Sequence, residues 1–190
     1  MVAKTHNAIA FATLITFSAF YPPSSLNLPT LFGAIIANNI GGLIPDMDSG
    51  GNYLWGLLPQ GKFLGRFLRK IFYKHRTITH SFLGLFLVFN FLNLLIPKLF
   101  NPNFVDPNII IISIMIGFVS HLVADSLTEE GIPLLFPLKI NFGFPPIRPL
   151  RIKTGHWFEN FVVFPGVWVY LFWFVYSNQN SFLQILKNIN

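Results

Sequence analysis

Two aspartates stand two residues apart in Pro45-Asp46-Met47-Asp48, and two histidines stand five apart in His75-Arg76-Thr77-Ile78-Thr79-His80. A third pair, His121 and Asp125, is separated by four residues, so on a helix both would lie on one face about one turn apart. His6 and Glu159 sit at the starts of further apolar stretches. Imidazole and carboxylate are the side chains that ligate zinc, manganese or iron, and paired carboxylates can bridge two such ions. The chain has no cysteine, which removes thiolate zinc knots, disulfides and cysteine nucleophiles. The chemistry on offer is the binding of one or two divalent metal ions, with zinc or manganese the first expectation.

Plainer roles are open to each residue. Asp46 and Asp48 could cap a helix or close an Asx turn, His121 could pack between helices on a hydrogen bond, and Glu159 could pair with Lys153. His6 could simply be solvated near the N-terminus, Arg76 could be an inside-facing anchor with His75 its solvated neighbour, and Asp106 and His156 carry no functional expectation. Asn38 and Asn39 could orient ligands or simply bond within the membrane. Shared placement is what favours metal, and it follows from the elements that carry these residues.

Five apolar stretches run through residues 8–21, 28–44, 81–96, 109–124 and 161–176, none with an internal charge. Each is slightly shorter than the ~20 residues that cross a bilayer comfortably, so their ends must extend into polar flanks. Pro22-Pro23, Pro45, Pro97 and Gly131 with Pro133 punctuate them. Runs of this length predict helices rather than core strands. The first has no convincing cleavage site after it and is read as an uncleaved helix.

Of the 13 basic residues, 11 fall at the N-terminus and in the loops after the second and fourth stretches, leaving Lys98 and Lys187 on the other side. The positive-inside rule then places the N-terminus and both long loops in the cytoplasm, in the inner or plasma membrane. Every candidate ligand falls on that cytoplasmic side. Only 11% of residues are charged against 53% hydrophobic, too few charges to cover a soluble domain, and with a mean hydropathy of +0.57 the net charge of +6 is not expected to serve nucleic acid.

Two loop segments extend the membrane signature. In residues 62–74, Phe63, Leu64, Phe67, Leu68, Ile71 and Phe72 recur at helical spacing opposite Lys62, Arg66, Arg69 and Lys70. That pattern predicts a basic amphipathic helix lying among anionic headgroups, with packing of a cytosolic helix as the alternative. Residues 131–150 are rich in proline and large apolar side chains, and predict a broken segment that packs at the interface or borders a substrate entrance. The whole is one membrane-embedded domain over residues 1–190: all-α, with about five transmembrane helices and a basic amphipathic interfacial helix.

Pro45-Asp46-Met47-Asp48, His75-Arg76-Thr77-Ile78-Thr79-His80-Ser81 and His121-Leu122-Val123-Ala124-Asp125, continued by Thr128, Gly131 and Pro137, resemble the motifs of the YdjM-like membrane-bound metal-dependent hydrolases. Thr5-His6 is similar to that family's opening Thr-His, and Thr154-Gly155 with Glu159 to its final motif. Thr77 stands where the family usually has glycine, and His156 where a small residue is common. The resemblance implies a membrane-bound hydrolase with its metal held by these residues.

The leading expectation is a metal-dependent hydrolase acting at the cytoplasmic membrane face, on an amphiphilic phosphoester. His6, Asp46, Asp48, His80, His121 and Asp125 would hold the ion or ions, with His75 a weaker ligand or outer partner. Glu159 is the expected general base, and Arg76 the expected clamp for a phosphoryl oxygen. The expected partners are the lipid bilayer and an anionic lipid or amphiphilic substrate. A metal-binding transporter or a non-catalytic membrane scaffold is the alternative; a transporter would need polar groups at the membrane midplane, where the sequence offers Asn90, Asn93, Ser113 and Ser120.

Overall fold

Helix α1 (Ala3–Phe20) opens the chain, and α2 (Leu28–Leu43) follows, ending in the 3-10 turn Pro45–Asp48. A second 3-10 turn, Ile78–His80, leads into α3 (Phe82–Leu99), and α4 (Pro107–Ser126) runs beside it. A π-helical turn, Glu159–Val163, continues into α5 (Phe164–Ser177), and the short α6 (Gln179–Lys187) closes the chain. This computed structural model describes residues 1–23, 26–48, 56, 77–138, 140–187 and 189. The basic amphipathic segment expected over 62–74, with His75 and Arg76, lies outside the described residues.

Local chemistry accounts for the helix starts. Asn27 accepts from the Thr30 N–H ahead of Pro29, Ser81 accepts from the Gly84 N–H, and Asp106 accepts from the Asn108 and Ile109 N–H groups ahead of Pro107. Pro97, expected to end the third helix, instead lies inside the last turn of α3, which runs on to Leu99. In a last turn a proline removes only a bond that is already near the fraying end. The first helix starts at Ala3, well before the apolar run at residue 8, so His6 is inside it.

The fold is all-helical, and α4 is its centre: α1, α2 and α3 all pack on it. Ile110, Ile111, Ile114 and Phe118 of α4 join Ala37, Leu92 and Ile96 in the core. The α2–α4 crossing is unusually close because glycines line it. A Cβ at Gly41 would collide with the Ile114 carbonyl, and one at Gly117 with the Asn38 carbonyl and the Gly42 nitrogen. Small residues at such crossings let membrane helices approach backbone to backbone.

Among the described residues, three helices are long and apolar enough to cross a membrane: Phe82–Leu99, Pro107–Ser126 and the continuous Glu159–Ser177; α2 is apolar but shorter. Large apolar side chains such as Phe86, Phe91, Phe161, Phe172 and Trp173 project outward from α3 and the last span. In water such a surface would be unstable, and in hydrocarbon it is the ordinary exterior. The proline-rich segment 131–150 is irregular, as expected. It is pinned by paired backbone bonds between Ile132 and Phe142, by the Phe82 N–H donating to the Leu134 carbonyl, and by the Arg151 guanidinium, which donates to the Gly143, Pro145 and Pro146 carbonyls.

Candidate metal centre

Three elements meet at one end of the bundle. The last turn of α4 supplies His121 and Asp125, the 3-10 turn after α2 supplies Asp46, and the turn before α3 supplies His80. One ligand atom from each of these four lies within 4.8 Å of the others. His80 Nε2 is 3.4 Å from Asp46 Oδ1 and 3.6 Å from Asp125 Oδ2; His121 Nε2 is 3.5 Å and 3.7 Å from the same two oxygens. Ordinary N–H···O bonds run to about 3.2 Å, so these spacings are long for direct hydrogen bonds. They are close to the edge of a tetrahedron around an ion with bonds of about 2.0–2.2 Å.

The other ring nitrogens settle which atoms face inward. His121 Nδ1 lies 2.7 Å from the Gly42 carbonyl oxygen, which can only accept, so Nδ1 carries the hydrogen and Nε2 of the neutral ring keeps its lone pair. At His80, the Thr79 hydroxyl donates to Asp48 Oδ2 at 2.9 Å and lies 3.1 Å from His80 Nδ1. Its one proton being given to Asp48, Thr79 accepts from His80 Nδ1–H, so Nε2 is the nitrogen that carries the lone pair whenever this ring is neutral. These tautomers follow from partner chemistry. Two lone pairs and two carboxylate oxygens thus converge in a buried space, where a cation resolves the repulsion. His121 Nε2 has no hydrogen-bond partner among the described residues. The donor set therefore fits a divalent ion.

Charge in the cluster is strongly coupled. Burial raises the Asp46 carboxyl, and the contacts with His121 and His80 more than reverse this, holding it below the usual carboxylate range. Burial lowers the His80 ring, and Asp125 and Asp46 together overcome it, so the ring takes a proton more readily than a free histidine. Asp46 is the only partly exposed member, at 27%; the other three are buried.

The remaining expected residues are arranged around this set. His6 is buried, its ring stacked on that of His121 with centroids 3.7 Å apart, and its Nε2 is 3.2 Å from Asp125 Oδ1. The α-ammonium of Met1 also contacts Asp125 Oδ1, at 2.6 Å. Asp48 stands behind His80 through Thr79. Glu159 is buried, with Oε1 accepting from the Val2 N–H at 2.7 Å and Oε2 from the Gly155 N–H at 2.6 Å. Lys153 is 3.9 Å from Glu129. Asn38 donates to the Ser113 carbonyl on α4, and Asn39 to the Ile35 carbonyl of its own helix. Thr79 and the Gly42 carbonyl carry no expectation from sequence, although a threonine directly before a ligand histidine and a Gly41-Gly42 pair at a helix end were available as signals.

The match that decides the family covers residues 1–182, nearly the whole chain, and it is to the YdjM inner membrane protein family. The chain belongs to that family. Among relatives of this YdjM-family chain, the uncharacterized protein YvsG of Bacillus subtilis is 33% identical over 163 residues, covering 86% of this chain and 88% of YvsG. The inner membrane protein YdjM of Escherichia coli K12 is 29% identical over 135 residues, covering 71% of this chain and 63% of the relative. No solved structure matches.

Proposed function

We propose that this YdjM-family protein is a metal-dependent hydrolase working at the cytoplasmic face of the inner or plasma membrane, with an amphiphilic phosphoester as substrate. The observation that carries the metal part is the convergence of His80 and His121 Nε2 lone pairs with Asp46 and Asp125 oxygens in a space sized for an ion. When bound, a divalent ion supplies a water with its pKa lowered toward ~7 and polarises the scissile group. Asp46, the ligand open to the outside, marks the side from which substrate arrives. His121 and His80 are held in their ligating orientation by Gly42 and by the Asp48–Thr79 pair. Glu159 enters this reading as a positioning residue that ties Val2, and with it α1 and His6, to Gly155. His75 and Arg76 keep their proposed roles as an outer ligand and an anion clamp.

The substrate class rests on surroundings. An apolar groove of about 650 Å³ lies between α1, α3 and α4, bordered by Phe17, Phe86, Phe89, Ile112 and Met115 and reaching up to Phe82 and Val119, each two residues from a ligand histidine. Hydrocarbon beside a metal centre suits a molecule whose headgroup reaches the ion while its chains stay in lipid. Orientation rests on the 11 basic residues gathered on one side. The conduit alternative is disfavoured by the midplane polar groups. Asn90 and Asn93 donate to carbonyls of their own helix, and so does Ser120.

The test is metal analysis of detergent-purified protein together with turnover of phosphoester pairs that differ only in an acyl chain. We expect bound metal, its loss on replacing Asp46, His80, His121 or Asp125 by Ala, and preference for the acylated partner. Full metal occupancy in all four variants would overturn the site, and equal turnover of both partners would overturn the lipidic substrate.

A further inference from the structure

The two oxygens of the Asp125 carboxylate face different neighbours. Oδ2 points to the pair formed by His80 and His121, at 3.6 Å and 3.7 Å, while Oδ1 points to His6, at 3.2 Å. The tetrahedral set is complete without His6, which stands outside it. Yet His6 is as buried as the ligands themselves, and neither of its ring nitrogens has a hydrogen-bond partner among the described residues. An imidazole sealed from water on both sides gives up its hydrogen bonding unless something else engages it. The Met1 ammonium contacts the same oxygen, so a metal ion held there takes that ammonium's place.

From this geometry we infer that Asp125 bridges two divalent cations. Asp46, His80, His121 and Asp125 Oδ2 hold the first; His6 and Asp125 Oδ1 hold the second. The inference rests on the metal reading above and deepens it by fixing the number of ions and the division of ligands. Two-metal hydrolytic centres hold their ions about 3.5–4 Å apart, the separation at which one carboxylate spans both. The His6 and His121 rings, parallel within 8° and 3.7 Å apart, are spaced on that scale, so each can serve its own ion without crossing the other. With two protein ligands against four, the second position binds more weakly and leaves coordination free for oxygens of water or of a phosphoryl group. That is the division of labour expected where one ion is resident and the other clamps substrate.

The experiment loads chelator-treated, detergent-purified full-length protein with Mn2+ and reads both the number of ions per chain and the electron paramagnetic resonance spectrum. Two ions per chain with a spin-coupled signal are expected, the second ion entering only at higher Mn2+. His6→Ala and His6→Gln should each leave one ion per chain with the signal of an isolated Mn2+, and monodisperse elution checks that both variants are folded. One ion per chain at saturation in the unaltered protein would overturn the bridge while leaving the metal reading intact, whereas none would overturn both. Two coupled ions in the His6 variants would remove His6 from the second position. Should neither variant fold, the spectrum of the unaltered protein still decides between one ion and two.

Discussion

His121 reaches across the α2–α4 crossing and places its Nδ1 2.7 Å from the carbonyl oxygen of Gly42, so a ligand on one helix is oriented by the backbone of another. The bond exists because the last carbonyls of a helix lack partners within it, and because the glycines let α4 come close enough to supply one. The ligand geometry is therefore coupled to the helix crossing itself.

Gly117→Ala tests that coupling. Its Cβ would meet the Asn38 carbonyl and the Gly42 nitrogen, both backbone, so α2 must move away from α4. Overpacking of this kind costs about 1–3 kcal/mol. We expect a lowered thermal midpoint in detergent together with weaker metal binding, although residue 117 is no ligand. Unchanged metal affinity at a lowered midpoint would show that the crossing does not orient His121.

How much of this was legible beforehand differs residue by residue. The spacing of His121 and Asp125 implied their shared face, while Asp46 and Asp48, both expected among the ligands, divide: Asp46 joins the cluster and Asp48 accepts from Thr79 behind His80. The apolar runs marked the helices but misjudged ends, because Pro97 is tolerated in a last turn and α1 extends through polar Lys4, Thr5 and His6. The orienting contacts left only faint signals, a threonine before His80 and the Gly41-Gly42 pair at the end of α2. A backbone carbonyl such as that of Gly42 has no residue type to betray it, and Glu159 bonds main-chain groups of Val2, 157 residues away, and of Gly155 in a left-handed turn with φ +77°. Tertiary proximity of that kind leaves no periodic trace.

Thr79→Val removes the hydroxyl that links Asp48 to His80 while keeping the side chain's shape. Partners that fix the tautomer of a ligand histidine typically matter about 10–100-fold in metal affinity. A loss in that range is expected by equilibrium dialysis, with recovery in Thr79→Ser. Equal affinity in all three proteins would show that His80 needs no such partner.

Metal removal should destabilise the fold, since an ion that binds only the folded protein stabilises it by about 2.7 kcal/mol at 100 times its dissociation constant. Chelation should lower the thermal midpoint of the unaltered protein, and re-addition of Zn2+ or Mn2+ should restore it. In Asp125→Ala the midpoint should no longer respond to chelator. A midpoint indifferent to chelator in the unaltered protein would count against a bound ion.

Topology gives a separate check. Cysteine introduced at Asn141, in the irregular segment after α4, should resist an impermeant thiol reagent in intact cells, and cysteine at Asn180, at the start of α6, should react. Labelling at Asn141 from outside would invert the orientation and put the centre on the opposite face.

Glu159 separates two roles that a carboxylate beside a metal centre can play. A general base needs an oxygen available to the attacking water, whereas both oxygens here accept backbone N–H groups, one of them at the N-terminus of α1, where a negative charge also favours the helix dipole. Hydrogen bonds to a charged group contribute about 1.5–3 kcal/mol each, so Glu159→Ala should destabilise measurably. Glu159→Gln should lose less, because the amide oxygen can still accept from one N–H while its NH2 faces the other. As α1 carries His6, metal content should fall along with the thermal midpoint in both variants, and any turnover should scale with the metal retained. The contrary pattern, full stability and full metal in Glu159→Gln with turnover abolished, would return the residue to the role of proton acceptor.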